Sequence, residues 1–310
     1  MAVQRRALTF YRFVEIDDPT ADQSVLQQEG LKLALKGTIL VAKEGVNGTL
    51  IGTHEALKSM AQFLSKSYGE IPFKWSDIDP NNLGFYRYKV KLKSEIVTFG
   101  VEDLDVAKTG RHVGVEAWNE LLDDPDVVVI DTRNQYEIDI GTFPGARSPE
   151  TTNFREFPQW VGENLDQSST PKVAMFCTGG IRCEKASAYL RQVGFEDVYQ
   201  LEGGILKYLE DAPENDNRWQ GECFVFDQRV SVDADLKQGS YSQCFACRHP
   251  LSASDLESEM FEEGVACPHC VSDQSKTRTE RFRERQLQIS LAKERGETHI
   301  GPKSGVESDR

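Results

Sequence analysis

The sequence predicts a multidomain chain of mixed α/β and α+β class: an N-terminal α+β sandwich, a central parallel α/β domain, and a C-terminal four-cysteine segment with a basic helix. Three observations predict it. Residues 1–100 run strand-like and helix-like in the order β-α-β-β-α-β. Within 115–217, short apolar runs such as Val127 to Ile130 and Val173 to Phe176 alternate with helical stretches, the pattern of buried parallel strands. Within 218–295, Cys244-x-x-Cys247 and Cys267-x-x-Cys270 are separated by nineteen residues. A length of 310 residues suits two or three domains.

In the first part, Ala7 to Ile16 is rich in Phe, Tyr and Val and reads as a strand. Residues 20–36 read as a helix with Val25, Leu26, Leu31, Leu33 and Leu35 apolar, ended by Gly37. Thr38 to Val41 and Thr49 to Ile51 are strands joined by the turn residues Lys43-Glu44-Gly45-Val46-Asn47-Gly48. Residues 53–66 form an amphipathic helix with Leu57, Met60, Ala61 and Leu64 on one side. Phe73 to Asp77 and Phe85 to Phe99 complete the set. This order is that of a ferredoxin-like α+β sandwich.

Arg87, Lys89, Lys91 and Lys93 alternate with Tyr88, Val90 and Leu92, so period two puts four cations on one strand face. Two readings stand side by side: a surface for a polyanion such as RNA, or an edge strand that uses lysine against aggregation.

Residues 101–114 read as a linker, and Val115 to Leu122 as a helix leading into the central domain. There, Cys177-Thr178-Gly179-Gly180-Ile181-Arg182-Cys183 sits between the strand Val173 to Phe176 and a helix from Cys183 to Val193. Gly179 and Gly180 let the loop amides point inward as a nest for negative charge. The helix N-terminus and Arg182 add positive charge. Together they favour the thiolate of Cys177, which is the nucleophile. The plain alternative is a small buried hydrophobe.

Four segments in series resemble the rhodanese domain: Asp131-Thr132-Arg133 with Glu137, Gly141 to Ala146, the Cys177–Arg182 loop, and Leu201-Glu202-Gly203-Gly204-Ile205. Four residues separate Cys177 from Arg182, where tyrosine and dual-specificity phosphatases have five, and Phe176 stands where those place a His. The resemblance implies a persulfide on Cys177 with its terminal sulfur held by loop amides, and site support from Asp131 and Arg133. Cys183 departs from ordinary rhodanese loops. It forms a disulfide with Cys177, resolves a persulfide there, or fills a small-residue slot. The run Asp211 to Asn217 is polar and reads as a domain boundary.

The four cysteines of the last third have zinc-ribbon spacing, and four thiolate donors suit a closed structural zinc site. A redox dithiol pair is the other reading. Cys223 is unassigned. Residues 276–295 hold seven cations against three acids, a charged helix in which Arg281 and Arg285 are candidate RNA contacts. Residues 296–310 read as a disordered tail.

The net charge of −14 argues against a nucleic-acid partner until its distribution is seen. Residues 1–110 carry 14 basic and 14 acidic side chains, 111–217 carry 9 and 20, and 218–310 carry 13 and 16. The acidity therefore lies mostly in the middle, leaving the ends able to form local basic faces. No apolar run approaches the roughly 18 residues of a membrane span. Arg5 and Arg6 precede a stretch broken by Arg12 and Glu15, which reads as strand and not as signal peptide. Seven cysteines in this setting suggest a cytoplasmic protein that uses thiols for chemistry or metal.

Over nearly its full length the chain resembles the bacterial oxygen-dependent tRNA uridine(34) hydroxylase family. The residues that carry this are Lys43 to Thr49, Asp131 to Asn134, Gly141-Thr142-Phe143, Phe154 to Pro158 and Cys177 to Ala186, with Cys183 part of that family's loop. The resemblance implies 5-hydroxylation of the wobble uridine with molecular oxygen as co-substrate, Cys177 as catalytic residue, and the tRNA anticodon loop as partner, with no DNA or membrane partner. The residues themselves show no flavin, haem or nicotinamide motif and no evident triad of two His and a carboxylate among His54, His112, His249, His269 and His299. A persulfide sulfurtransferase fits the same loop.

Overall fold

The computed structural model describes residues 5–78, 85, 87–169, 172–227 and 229–296. Of the tail expected at 296–310, residues 297–310 lie outside them. The chain divides into two compact units, residues 1–96 with 241–310, and residues 97–240.

In the first unit, β1 (Arg5–Phe13), α1 (Pro19–Lys32), β2 (Lys36–Ala42), β3 (Gly45–Thr53), α2 (His54–Tyr68), β4 (Lys74–Asp77) and β5 (Tyr88–Leu92) follow in chain order. The sheet order is β4-β1-β3-β2-β5. The first four strands have the expected ferredoxin-like arrangement, and β5 adds a parallel edge beside β2. The Asp18 carboxylate caps α1 by accepting from the amides of Thr20 and Ala21, with Pro19 in the first turn. Thr53 caps α2 through the Ala56 amide. One sheet face is buried: Leu8, Phe10, Ile39, Val41, Leu50 and Val90 pack with Leu26, Leu57, Met60 and Leu64 of the helices.

Three details differ from the sequence reading. The first helix ends at Lys32, not at Gly37; Gly37 lies inside β2, where a Cβ would stand 2.2 Å from the Thr49 carbonyl oxygen. Of the apolar residues assigned to that helix, Val25 and Leu31 are exposed. The strand expected over 85–99 is only Tyr88–Leu92 long. Beyond it Ile96 leaves the sheet, because Glu44 accepts from its amide (2.6 Å) and Asn47 donates to its carbonyl (3.0 Å).

The second unit contains β6 (Arg111–Val113), α3 (Val115–Asp123), β7 (Val127–Asp131), α4 (Gln135–Ile138), β8 (Gly141–Thr142), α5 (Phe157–Asn164), β9 (Lys172–Phe176), α6 (Ile181–Gln192), β10 (Asp197–Leu201), α7 (Gly204–Asp211), β11 (Gln220–Gly221), β12 (Cys223–Phe224) and β13 (Ser231–Val232). Its main sheet is parallel in the order β6-β10-β9-β7. Both faces are covered, as a parallel sheet requires. Val173 and Met175 join one core with Ala186 and Leu190 of α6, while Ala174 and Phe176 join the other with Ile205 and Tyr208 of α7. This alternation carries Cys177 onto the α6 side.

Both expected boundaries move. The 101–114 linker contains β6, a polar three-residue strand paired with β10 and anchored where the Gly110 amide donates to Ser187 Oγ at 2.9 Å. The domain also continues past 217. Trp219, Cys223, Val225 and Val232 are buried in its core, and β11 pairs with β8. The polar run 211–217 is a surface turn held by Asn119, whose amide donates to the Asp216 carbonyl (2.8 Å).

The remaining elements of the first unit are β14 (Ser242–Gln243), β15 (Pro250–Leu251), α8 (Ala253–Glu257) and α9 (Lys276–Glu294). Among the described residues no helix is long and apolar enough to cross a membrane.

Candidate active site and metal centre

The loop of Cys177 joins the carboxyl end of β9 to the first turn of α6, the position where open parallel sheets present their chemistry. Gly180 takes φ 99°, which turns its amide onto the Cys177 sulfur at 3.1 Å. The N-terminal turn of α7 holds the loop from behind: Ile205 N donates to the Cys177 carbonyl at 3.0 Å and Leu206 N to that of Thr178 at 3.1 Å. Gly204, at φ +67°, packs so close that a Cβ there would stand 2.4 Å from the Cys177 carbonyl oxygen.

Cys177 and Cys183 are both buried and both free thiols. Burial opposes ionisation of Cys177. The hydrogen bond from the Cys183 thiol, the Arg182 charge and the amides of Arg182 and Cys183 outweigh it and bring the Cys177 pKa down to about 5. Cys183 moves the other way, pushed well up by burial and by its bond to Cys177. The pair is thus a thiolate beside a thiol, with Thr132 Oγ1 3.7 Å from the Cys183 sulfur.

Arg182 is not free to meet an anion. Its guanidinium forms a bidentate pair with Glu137 of α4, at 2.6 and 2.8 Å. Sequence reasoning put Glu137 in the segment beside Arg133 but gave it no role. Its carboxylate is fully buried and also accepts from the Asn134 amide (3.1 Å) and, at 3.4 Å, from Thr178 Oγ1.

Asp131 and Arg133 form a second buried pair, with Nε–Oδ1 at 2.9 Å and Nη2–Oδ2 at 2.6 Å. Arg133 also donates to the carbonyls of Glu137 and Gly141 and lies over the Trp219 ring at 5.2 Å. These two residues brace the segment that carries Glu137. Cys223 is buried, with its pKa pushed up to about 12 by that burial, and behaves as a packed apolar group. Over the loop, the Phe226 ring lies 5.8 Å from the Arg182 guanidinium carbon. A surface cavity of about 670 Å³ lined by Val161, Leu165, Tyr189 and Phe195 includes none of the loop residues.

In the first unit, Cys244, Cys247, Cys267 and Cys270 bring their sulfurs within 4.8 Å of one another. Two of the separations, Cys247–Cys267 and Cys267–Cys270, are 3.7 Å. A tetrahedron with ~2.3 Å metal–sulfur bonds has edges of ~3.8 Å, so the donor set fits a structural zinc ion. The core here is small, chiefly the cysteines with Leu251, so the ion would supply folding energy.

Of the candidate RNA contacts, Arg87, Lys89, Lys91, Lys93 and Arg281 are exposed. Arg285 is spent on structure: it donates to the carbonyls of Gly264 (2.6 Å) and Phe245 (3.2 Å) and covers the Phe282 ring. All six belong to the first unit, whereas the cysteine loop belongs to the second.

Comparison with known proteins agrees with this division. Residues 5–96 match the UPF0176 acylphosphatase like domain and residues 115–211 the rhodanese-like domain. Among solved structures, a protein of unknown function and possible tyrosine phosphatase from Rhodopseudomonas palustris is 21% identical, over 34% of this chain and 83% of its own, with a TM-score of 0.30. The rhodanese-like domain of an Anabaena protein is 19% identical, over 36% of this chain and 78% of its own, with a TM-score of 0.29. An acylphosphatase from Coxiella burnetii is 12% identical, over 28% of this chain and 92% of its own, with a TM-score of 0.21. A UPF0176 acylphosphatase-like domain followed by a rhodanese-like domain is the architecture of the tRNA uridine(34) hydroxylase family, and this chain has that architecture.

Proposed function

We propose that this chain is a cytoplasmic tRNA-modifying enzyme that 5-hydroxylates wobble uridine 34 with molecular oxygen as co-substrate, through Cys177. The observation that carries the reading is the thiolate–thiol pair of Cys177 and Cys183, set in a rhodanese-like domain behind a UPF0176 domain. The wobble base is single-stranded and can be splayed into a protein site without melting a helix. Cys177 itself is buried, so a base reaches it only when the residues that cover it move aside.

In this reading the Cys177 thiolate adds to uracil C6, forming an S–C6 bond and moving the C5=C6 electron pair toward O4. C5 is then nucleophilic and takes one oxygen atom from O2. Loss of the C5 proton and departure of the thiolate from C6 restore the ring. The second oxygen atom leaves as water, with two electrons and two protons from a thiol reductant. The low pKa of Cys177 makes it a good leaving group as well as a thiolate at neutral pH.

The test is mass spectrometry of nucleosides from tRNA incubated aerobically with the protein and dithiothreitol, wild type beside Cys177→Ala. A gain of one oxygen on uridine with wild type alone is expected. The second reading is a persulfide sulfurtransferase, favoured by the amide-lined loop around the Cys177 sulfur. No added oxygen, together with thiosulfate-dependent thiocyanate formation, would move the assignment there.

A further inference from the structure

β5 carries Lys89 and Lys91, with Arg87 and Lys93 at its two ends; all four are exposed, while of the residues between them Tyr88 and Val90 are buried and Leu92 is exposed. The extended backbone continues past both ends of β5. Gly37 N donates to the Arg87 carbonyl and Lys93 N to that of Val41, each at 2.9 Å. At ~3.3 Å per residue the four cations form a rigid stripe ~20 Å long, with ~6.6 Å between neighbours. Among the described residues none of the four is in an ion pair.

Edge protection does not account for the stripe. The outward-facing backbone at the centre of β5 is already engaged by α1: Gln23 donates to the Val90 carbonyl (3.0 Å) and Gln27 accepts from the Val90 amide (2.9 Å). A second strand cannot pair there, so lysines are not needed to prevent it. Four unneutralised cations on one face repel each other, and a partner bearing regularly spaced negative charge relieves this. In register beside Lys89 lie Thr38, Thr49 and Thr9, a row of hydroxyls across the sheet on the same face. Hydroxyls flanking cations suit phosphate and sugar oxygens.

We infer that this stripe is a binding surface for the phosphate backbone of RNA, with Arg87, Lys89, Lys91 and Lys93 each facing a phosphate. The inference rests on the proposed hydroxylase activity only in taking the RNA to be the substrate tRNA.

The test is equilibrium binding of an unmodified tRNA transcript to the full-length protein from about 50 to about 200 mM salt. The comparison is with the variant Arg87→Gln, Lys89→Gln, Lys91→Gln and Lys93→Gln, checked for wild-type circular dichroism and melting. Each phosphate contact on a single strand contributes ~0.7 to the slope of log affinity against log salt. The variant is expected to lose ~2 to 3 of that slope and at least ~10-fold in affinity at the lowest salt. Arginine at the three lysine positions is expected to keep the slope. An unchanged slope in the glutamine variant overturns the inference, as does loss of binding to phosphatidylserine vesicles in place of RNA. RNA binding through the stripe without oxygen on uridine leaves this inference standing and removes the hydroxylase. Oxygen added by a protein whose slope ignores the stripe does the reverse.

Discussion

The carboxylate of Glu137 and the guanidinium of Arg182 meet in a buried bidentate pair, 2.6 and 2.8 Å long, across 45 residues of sequence. The arginine of the cysteine loop is therefore locked to α4. It contributes its charge to Cys177 from a fixed position and is not available to grip a substrate anion.

Breaking such a pair from one side leaves a buried charge without its partner and costs ~3–5 kcal/mol. Glu137→Ala is expected to fall in that range in denaturant unfolding. Glu137→Gln combined with Arg182→Met should recover part of the loss, because no charge is then stranded. The pair also gives an acid limit. Burial raises the Glu137 pKa, but Arg182 outweighs this and the folded value lies below 4.5. Its stabilisation is full above the unfolded value and is lost as pH falls through the folded one. Stability should thus decline below about pH 4.5 in wild type, and this part of the decline should be absent in Glu137→Gln. An identical acid profile in both would sink the argument.

Thiolate chemistry at Cys177 predicts an acid limb of oxygen incorporation centred near pH 5, the value set when Cys183, Arg182 and the loop amides outweigh burial. Cys183→Ala removes the first of those stabilising partners and moves the limb upward. At mildly acid pH the rate should fall about tenfold for each pH step of one that the limb moves, with little change once the pH exceeds the new value. A limb that stays in place in this variant would show that the Cys183 thiol does not hold the charge.

Much of the site is legible in the sequence because its chemistry is local. Gly179-Gly180 before Arg182 announces a turned loop and a positive helix start, and the four cysteines announce a clustered donor set through spacing alone. Glu137 is invisible as a partner because nothing local ties it to a residue in another strand-helix unit. The strand Arg111–Val113 escapes for a different reason: three residues, two of them charged or polar, leave no apolar period to read. The stretch after 217 is misplaced because Asp211 to Asn217 has the composition of a linker, while Trp219 and the short run Cys223 to Val225, which return the chain to the core, are too brief to show a period. Arg285 resembles an RNA contact because composition cannot distinguish a solvated cation from one that caps carbonyls.

Gly204 offers a test of loop position independent of charge. A methyl group there would lie 2.4 Å from the Cys177 carbonyl oxygen and within 2.9 Å of the amides of Gly179 and Gly180, at a φ that L residues avoid. The backbone strain is worth ~1–3 kcal/mol, which a domain of this size survives. Displacing the loop by a fraction of an ångström to an ångström costs more in rate, on the order of 10²-fold. Gly204→Ala should therefore melt only a few degrees below wild type while losing most of its turnover. A variant with wild-type turnover would mean that the contact with α7 does not set the sulfur's position.

The four-cysteine site gives the last prediction. Purified protein should carry about one zinc ion per chain. Cys267→Ser, which removes a fully buried donor, should abolish it. Because the local core is little more than the cysteines and Leu251, metal removal should expose residues 242–295 to proteolysis. The sandwich of β1 to β5 has its own apolar core and should stay protected. The competing redox reading makes the opposite demand. If the segment remains protected after chelation and mass spectrometry finds Cys244 to Cys270 in disulfides, the sulfurs serve electron transfer and the zinc assignment fails.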